Sequence, residues 1–349
     1  MAEFSTLRAL LDHGFDDAID VRSPAEFAED HIPGAINLPA LSNAQRAEVG
    51  TIYKQVSPFD ARKIGAALVA RNVADHLSGP LADRKGNWRP LVYCWRGGQR
   101  SGSVAAILTQ IGWRAETIKG GYTSYRRLVH QLLYQTPMPH RIVLLDGNTG
   151  TAKTDILQRL ATKGVQVLDL EGMAGHRGSL LGATAAGQPA QKGFESKLAA
   201  AISTLDPMRH TVVEAESSKI GQINLPQQIW AAMITAPRLV IHAPIAARAA
   251  YLTQAYRDVT NDPADLKKRL EPLRHLRSHA VVDQWLNLLN SGNLNGLAQA
   301  LMQDHYDPAY TRSRKIDSRA VLGEIAVQTL DDAGQEQAAN AILTHLNAL

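Results

Sequence analysis

The apolar run Arg141-Ile142-Val143-Leu144-Leu145-Asp146 passes directly into Gly147-Asn148-Thr149-Gly150-Thr151-Ala152-Lys153-Thr154, and that loop into the helical Asp155-Ile156-Leu157-Gln158-Arg159-Leu160. A buried strand, a glycine-bearing loop and a helix start in immediate succession leave few architectures open. Three further runs read as strands. Residues 165–172 deliver Asp169 and Glu171 at their end, 211–217 end in Glu214, Glu216 and Ser217, and 238–244 form the last. Strands alternating with helices imply an α/β fold with a parallel sheet and ligands at the strand C-termini.

The loop itself carries chemistry. The amides of Gly147, Asn148, Thr149, Gly150, Thr151 and Ala152, with Lys153 and Thr154, make a P-loop arrangement that cradles a di- or triphosphate. That pattern has a second glycine just before the lysine, where this chain has Ala152. Its absence argues against tight nucleotide binding and leaves a loosely held pyrophosphate open. Asp169, Glu171, Glu214 and Glu216 have two readings: holding Mg²⁺ against a pyrophosphate, or capping helices. The 165–172 strand leads into Ala174-Gly175-His176-Arg177-Gly178-Ser179, whose His176, Arg177, Gly178 and Ser179 are further site candidates.

A second strand–loop–helix unit lies upstream. Pro90-Leu91-Val92-Tyr93 feeds into Cys94-Trp95-Arg96-Gly97-Gly98-Gln99-Arg100-Ser101, and Cys94 is the one cysteine among 349 residues. Loop amides, a helix N-terminus and the charges of Arg96 and Arg100 lower a thiol pKa and make a pocket for a tetrahedral anion. Gly97, Gly98, Gln99 and Ser101 complete this loop. A single thiol excludes an internal disulfide, a Cys-x-x-Cys redox pair and a multi-cysteine zinc site. Prolines at 137 and 139 break the chain after the helical run 124–133, giving an expected division into 1–136 and 137–349.

Hydrophobic residues at 45% and charged residues at 20% describe an ordinary globular core, and a net charge of +4 permits nucleic-acid binding without demanding it. No apolar run approaches the roughly 20 residues of a membrane span, and Met1 to Leu11 reads as a short amphipathic helix rather than a secretory signal. The expectation is a cytoplasmic protein without a membrane partner. Two basic clusters are candidates for gripping RNA: Arg257, Lys267, Lys268, Arg269, Arg274 and Arg277, then Arg312, Arg314, Lys315 and Arg319. Asp258, Asp262, Asp265 and Glu271 interleave with the first, so a solvated, ion-paired helix face is the alternative.

Upstream of the cysteine, Ala18-Ile19-Asp20-Val21-Arg22-Ser23-Pro24 and His31-Ile32-Pro33-Gly34-Ala35-Ile36-Asn37 read as two short strands around a capped helix. With the cysteine loop, these resemble the rhodanese family over roughly residues 5–135. The resemblance places Asp20 and Arg22 where the family braces its active loop, and Cys94 at the persulfide-carrying position. The closing arginine is six positions after the cysteine, where rhodaneses usually have it at five, a spacing similar to phosphatases. Tyr93 stands where tyrosine phosphatases have histidine, and the loop lacks an acidic group.

A rhodanese-like domain with a central parallel sheet, followed by a P-loop NTPase-like parallel α/β domain with a helical C-terminal part, resembles the tRNA 2-selenouridine synthase family. The residues carrying this are Asp169-Leu170-Glu171-Gly172, His176-Arg177-Gly178-Ser179, Glu216-Ser217 and Tyr306-Asp307-Pro308-Ala309-Tyr310. The resemblance implies a two-step exchange on wobble 2-thiouridine of tRNA. Geranyl diphosphate first prenylates the sulfur, and selenium from selenophosphate then displaces the geranylthio group. Both reagents are expected co-substrates, Mg²⁺ is a candidate cofactor with no metal site certain, and a selenophosphate-producing enzyme is a candidate partner. The competing readings are a sulfurtransferase or phosphatase with a regulatory nucleotide-binding domain, and a non-enzymatic RNA-binding scaffold.

Overall fold

The computed structural model describes residues 1–179 and 181–349, with the side chains of 313–316 outside the description. The chain forms two compact units, Met1–Thr136 with Pro189–Thr204, and Pro137–Gln188 with Leu205–Leu349. Residues 189–204 therefore belong with the first unit, whereas the linear division put them in the second.

In the first unit, β1 (Asp17–Asp20), β2 (Ile36–Asn37), β3 (Pro90–Tyr93) and β4 (Glu116–Thr117) form a parallel sheet in the order β2-β1-β3-β4. Every residue of β3 is buried, as expected for a parallel strand covered on both faces. Asp20 pairs with Tyr93 in register, so the segments leaving β1 and β3 emerge side by side at one edge. Ile19, Val21, Val73, Trp88, Val92 and Leu108 anchor the core beneath them. The N-terminal helix is shorter than expected, starting at Leu7 because the Thr6 side chain accepts from Ala9 N at 3.1 Å and stops it there. Ala2 instead bridges to Ile118 in strand fashion. The helix Gln191–Thr204 buries Phe194, Leu198, Ala199 and Ile202, and its Glu195 ion-pairs with Arg126 and accepts from the Tyr134 hydroxyl at 2.8 Å.

The second unit holds β5 (Arg141–Gly147), β6 (Gln166–Leu168), β7 (His210–Glu214), a hairpin of β8 (Lys219–Ile220) and β9 (Ile223–Asn224), β10 (Arg238–His242) and β11 (Val321–Ala326). Its main sheet is parallel in the order β11-β10-β5-β7-β6, which puts β5 in the centre with the P-loop at its C-terminal end. Three expected strands end earlier than read. β6 stops at Leu168 because Asp169 caps the helix Leu170–Ala174, which moves Glu171 onto that helix. β7 stops at Glu214, and β10 at His242, since Pro244 precedes the helix Ile245–Ala255. β11 was not foreseen. The helices Pro263–Leu270, His279–Asn290 and Leu294–Leu301 pack a separate core around the fully buried Trp285. Among the described residues no helix is long and apolar enough to cross a membrane.

Candidate active sites

In the first unit the cysteine loop is held by charge and by glycine. Arg22, buried to 1% exposure, pairs with Asp20 at 2.6 Å, donates to the Asp30 carbonyl at 2.6 Å and stacks 3.8 Å over the Tyr122 ring. Asn37 donates to the carbonyls of Asp20 and Arg22, tying β2 to the same brace. Gly97 and Gly121 have φ of +66° and +58°, and a Cβ on Gly121 would enter the Cys94 carbonyl and the Gly97 amide. Both positions require glycine.

Cys94 Sγ accepts from Gly98 N at 3.3 Å and lies 3.2 Å from Ser101 Oγ, at the start of the helix Gln99–Ile111. Burial pushes the thiol up. Hydrogen bonds from the Ser101 side chain and backbone and from the Gly98 amide, helped by the Arg100 charge, outweigh it and hold the thiol below its ordinary value. Arg100 itself pairs with Glu26 at 2.9 Å, beside Arg46 on the same carboxylate at 3.0 Å. Its guanidinium is thus a brace anchored on Glu26, and sequence reading missed that partner. Arg96 on the loop and Gln99, the first residue of the helix, are exposed.

In the second unit the loop after β5 folds as a cradle. Ala152 adopts φ +57°, the only positive φ of a non-glycine residue among the described residues, at the position where the P-loop pattern has glycine. Thr151 Oγ1 donates to the Asn148 carbonyl at 2.8 Å, and Asn148 donates to Asp307 at 2.9 Å. Arg248 clamps Asp307 through both carboxylate oxygens, so Tyr306-Asp307-Pro308-Ala309-Tyr310 buttresses the loop. Lys153 Nζ donates to the Gly147 carbonyl at 3.1 Å. Burial pulls this ammonium down, but Tyr310, Glu216, Glu171 and Asp146 together hold it above its usual value.

Thr154 Oγ1 lies 3.0 Å from Glu171 and 2.8 Å from Glu214. Burial, then the charges of Glu171 and Asp169, push Glu214 up to about 8, and burial with Glu171 raises Glu216 well above its ordinary value. Three crowded carboxylates favour a proton or a cation among them. Among the described residues no three His, Cys, Asp or Glu side chains form a metal-holding group. Asp169 takes the capping role, accepting from Gly172 N at 2.6 Å.

Gly150, Lys153, Glu171, His176, Gly178 and Glu216 all line one cavity of about 420 Å³, so the loop and the 176–179 motif face a common space. His176 Nδ1 is buried without a hydrogen-bond partner, and burial holds this imidazole below its usual value. Arg177 pairs with Asp258 at 2.9 Å and lies 4.7 Å over the Tyr256 ring, whose hydroxyl meets Ser179 Oγ at 3.0 Å. Ser217 turns away to its own hairpin, bonding Lys219. Tyr251, Leu252 and Tyr256 also line the cavity, without a signal in the linear sequence.

The basic clusters divide. Arg269 pairs with Asp265 at 2.7 Å, Arg274 with Glu271 at 2.8 Å and Asp283 at 2.6 Å, and Arg277 donates to the His305 carbonyl at 3.2 Å. Arg257, Lys267, Lys268 and Arg312 are exposed, Arg319 pairs with Asp317 at 2.6 Å, and the side chains of Arg314 and Lys315 lie outside the described residues.

Fold and loops together define a rhodanese-like α/β unit joined to a P-loop-like α/β unit. Residues 3–128 match the rhodanese-like domain, and 140–265 match the tRNA 2-selenouridine synthase AAA domain. The tRNA 2-selenouridine synthase of Pseudomonas syringae pv. syringae (strain B728a) is 32% identical, over 85% of this chain and 88% of its own. That of Psychromonas ingrahamii (strain DSM 17664 / CCUG 51855 / 37) is 30% identical, over 84% and 86%. The chain belongs to the tRNA 2-selenouridine synthase family and is an enzyme of transferase type.

Proposed function

We propose that this enzyme makes 2-selenouridine in tRNA by geranylating wobble 2-thiouridine from geranyl diphosphate and then exchanging the geranylthio group for selenium from selenophosphate. One observation carries the first step. The diphosphate cradle adjoins a second cavity walled by Leu181, Val259, Leu266, Leu297, Leu301 and Met302. Thr149, Ser179, Leu252 and Tyr256 line both spaces. A cavity of about 420 Å³ with charged groups and loop amides in its wall, sharing lining with an almost wholly apolar one of about 60 Å³ that a prenyl chain would have to widen, suits a lipid diphosphate better than a nucleotide, whose ribose and base would need polar partners.

In that step the thiocarbonyl sulfur bonds to the prenyl C1, the C1–O bond breaks, pyrophosphate leaves and the base loses its N3 proton. The loop amides, Lys153 and Thr154 would stabilise charge growing on the leaving oxygens. Mg²⁺ carried on the diphosphate fits the oxygens of Thr154, Glu171 and Glu214, since Mg²⁺ uses one or two carboxylates plus substrate phosphates. The Cys94 loop, with the amides of Gly97 and Gly98 and the braces Arg22 and Arg100, is the reading for selenophosphate, a tetrahedral anion.

Mass spectrometry of nucleosides tests the order of steps. A tRNA bearing 2-thiouridine is incubated with the protein alone, with geranyl diphosphate, with selenophosphate and with both. A geranylthio nucleoside with the first reagent and a selenium nucleoside only with both are expected. Lys153→Ala should impair geranylation more than selenation of pre-geranylated tRNA, and equal loss of both steps would refute this division of labour.

A further inference from the structure

A third cavity of about 620 Å³ adjoins the diphosphate cradle, within the range of roughly 300–1,000 Å³ typical of small-ligand clefts. Gly178, Glu216 and Tyr310 line both it and the cradle. Its remaining wall includes Trp230 and Ile234, the latter 48% exposed, on the helix Gln227–Thr235. None of the motifs in the sequence marks these two residues.

The charges in this cavity are already matched. Arg238 lies 2.9 Å from Asp146 and 3.0 Å from Asp317, and Arg319 lies 2.6 Å from Asp317. Arg319 holds the Asp317 carboxyl down at about 2. Both guanidiniums of the described lining are thus taken by Asp146 or Asp317, and burial with Glu171 raises Glu216 above its ordinary value, which disfavours a phosphate and favours a neutral polar ring. Aromatic faces beside hydrogen-bonding groups are the way proteins hold a base turned out of its stack.

We propose that this cavity is the nucleobase subsite, in which the thiouracil ring stacks on Trp230 with its reacting edge turned past Gly178 and Tyr310 toward the diphosphate cradle. The inference rests on the tRNA-geranylation reading and gives it a direction. The apolar cavity, the diphosphate cradle and the base cavity follow one another, joined pairwise by shared lining residues. Displacement at C1 needs the sulfur opposite the leaving oxygen, so C1 would lie in the cradle between the base edge, entering past Gly178 and Tyr310, and the diphosphate on the 147–154 loop, with the prenyl chain leaving toward the apolar cavity. Trp230 is a specificity-determining residue for the RNA, not a contact for the diphosphate.

The test uses the full chain, an anticodon stem-loop RNA carrying either 2-thiouridine or uridine, and the variants Trp230→Ala and Trp230→Phe. Direct binding of the unreacted stem-loop is measured by calorimetry, and geranylation kinetics are run in parallel. Trp230→Ala should weaken binding of the thiolated RNA by about 30-fold, the middle of the range for one base–aromatic stack, and raise its KM alike. The KM for geranyl diphosphate should stay put, and Trp230→Phe should restore most of the affinity. Unchanged RNA affinity in Trp230→Ala, or a matching rise in the geranyl diphosphate KM, would overturn the assignment. A wild-type protein that binds the RNA through Trp230 yet forms no geranylthio nucleoside would keep the subsite and sink the reaction. Circular dichroism spectra matching the wild type exclude misfolding as the cause.

Discussion

Ala152 should be replaceable by glycine at almost no cost. Its backbone sits at φ +57°, ψ +31°, where a Cβ is crowded by its own carbonyl, costing roughly 1–2 kcal/mol. Glycine removes that strain, but two effects oppose the gain. The freer unfolded chain costs about 0.4–1 kcal/mol, and the lost methyl, buried to 3% exposure in the core of the second unit, costs about 0.8 kcal/mol. These offset to within about 1 kcal/mol of zero. Because the backbone already has the shape that glycine would give it, pyrophosphate affinity should also stay within about threefold. Urea denaturation reads the first quantity and calorimetric titration with pyrophosphate the second. A loss of more than about 2 kcal/mol would mean that the methyl's packing rather than the backbone conformation governs this position. A tenfold gain in affinity would mean that the alanine distorts the cradle.

Cys94→Ser should bring selenium incorporation to background while geranylthio nucleoside still forms; selenation by the serine variant would remove the thiol from the reaction. Gly121→Ala combines a left-handed backbone with a Cβ driven into the Cys94 carbonyl, so about 2–5 kcal/mol of stability should be lost, and alkylation of Cys94 at neutral pH should change rate. Glu214 has its folded pKa raised from 4.5 to about 8, so the native state binds more protons than the unfolded chain within that window. Stability should therefore fall as pH rises from about 4.5 to about 8, and Glu214→Gln should flatten the fall. Identical Tm-versus-pH slopes for the two proteins would refute this origin.

Much of this was readable before any coordinates, for a local reason. A strand, a glycine turn and a helix N-terminus are contiguous in sequence, so Cys94, Asp20, Arg22 and Lys153 could be placed by their neighbours alone. Ala152 shows the limit. Its departure from the glycine pattern reads as a loss, yet the surrounding loop imposes the left-handed conformation regardless. What the sequence left open are through-space effects. Arg100 meets Glu26 across 74 positions, and Arg274 meets Asp283 nine positions away, so charges that look available in a row are already taken. Asp169 and Glu171 sit two positions apart, but a capped turn sends one to a backbone amide and the other to the cradle. The apolar cavity gathers leucines from 181 to 301, and no window along the chain could display them together.

The return of residues 189–204 to the first unit sets a timetable for biogenesis. Arg126 leaves the ribosome 69 residues before Glu195, its partner, and Tyr134 leaves 61 residues before the same carboxylate. Translation of β5 and β6 falls in that interval. A nascent rhodanese-like unit therefore waits, short of one helix, while the first strands of its neighbour are being made. A gene cut at residue 136 would produce that waiting intermediate as its permanent product, with the surface meant for Phe194, Leu198 and Ile202 open to whatever hydrophobe arrives first.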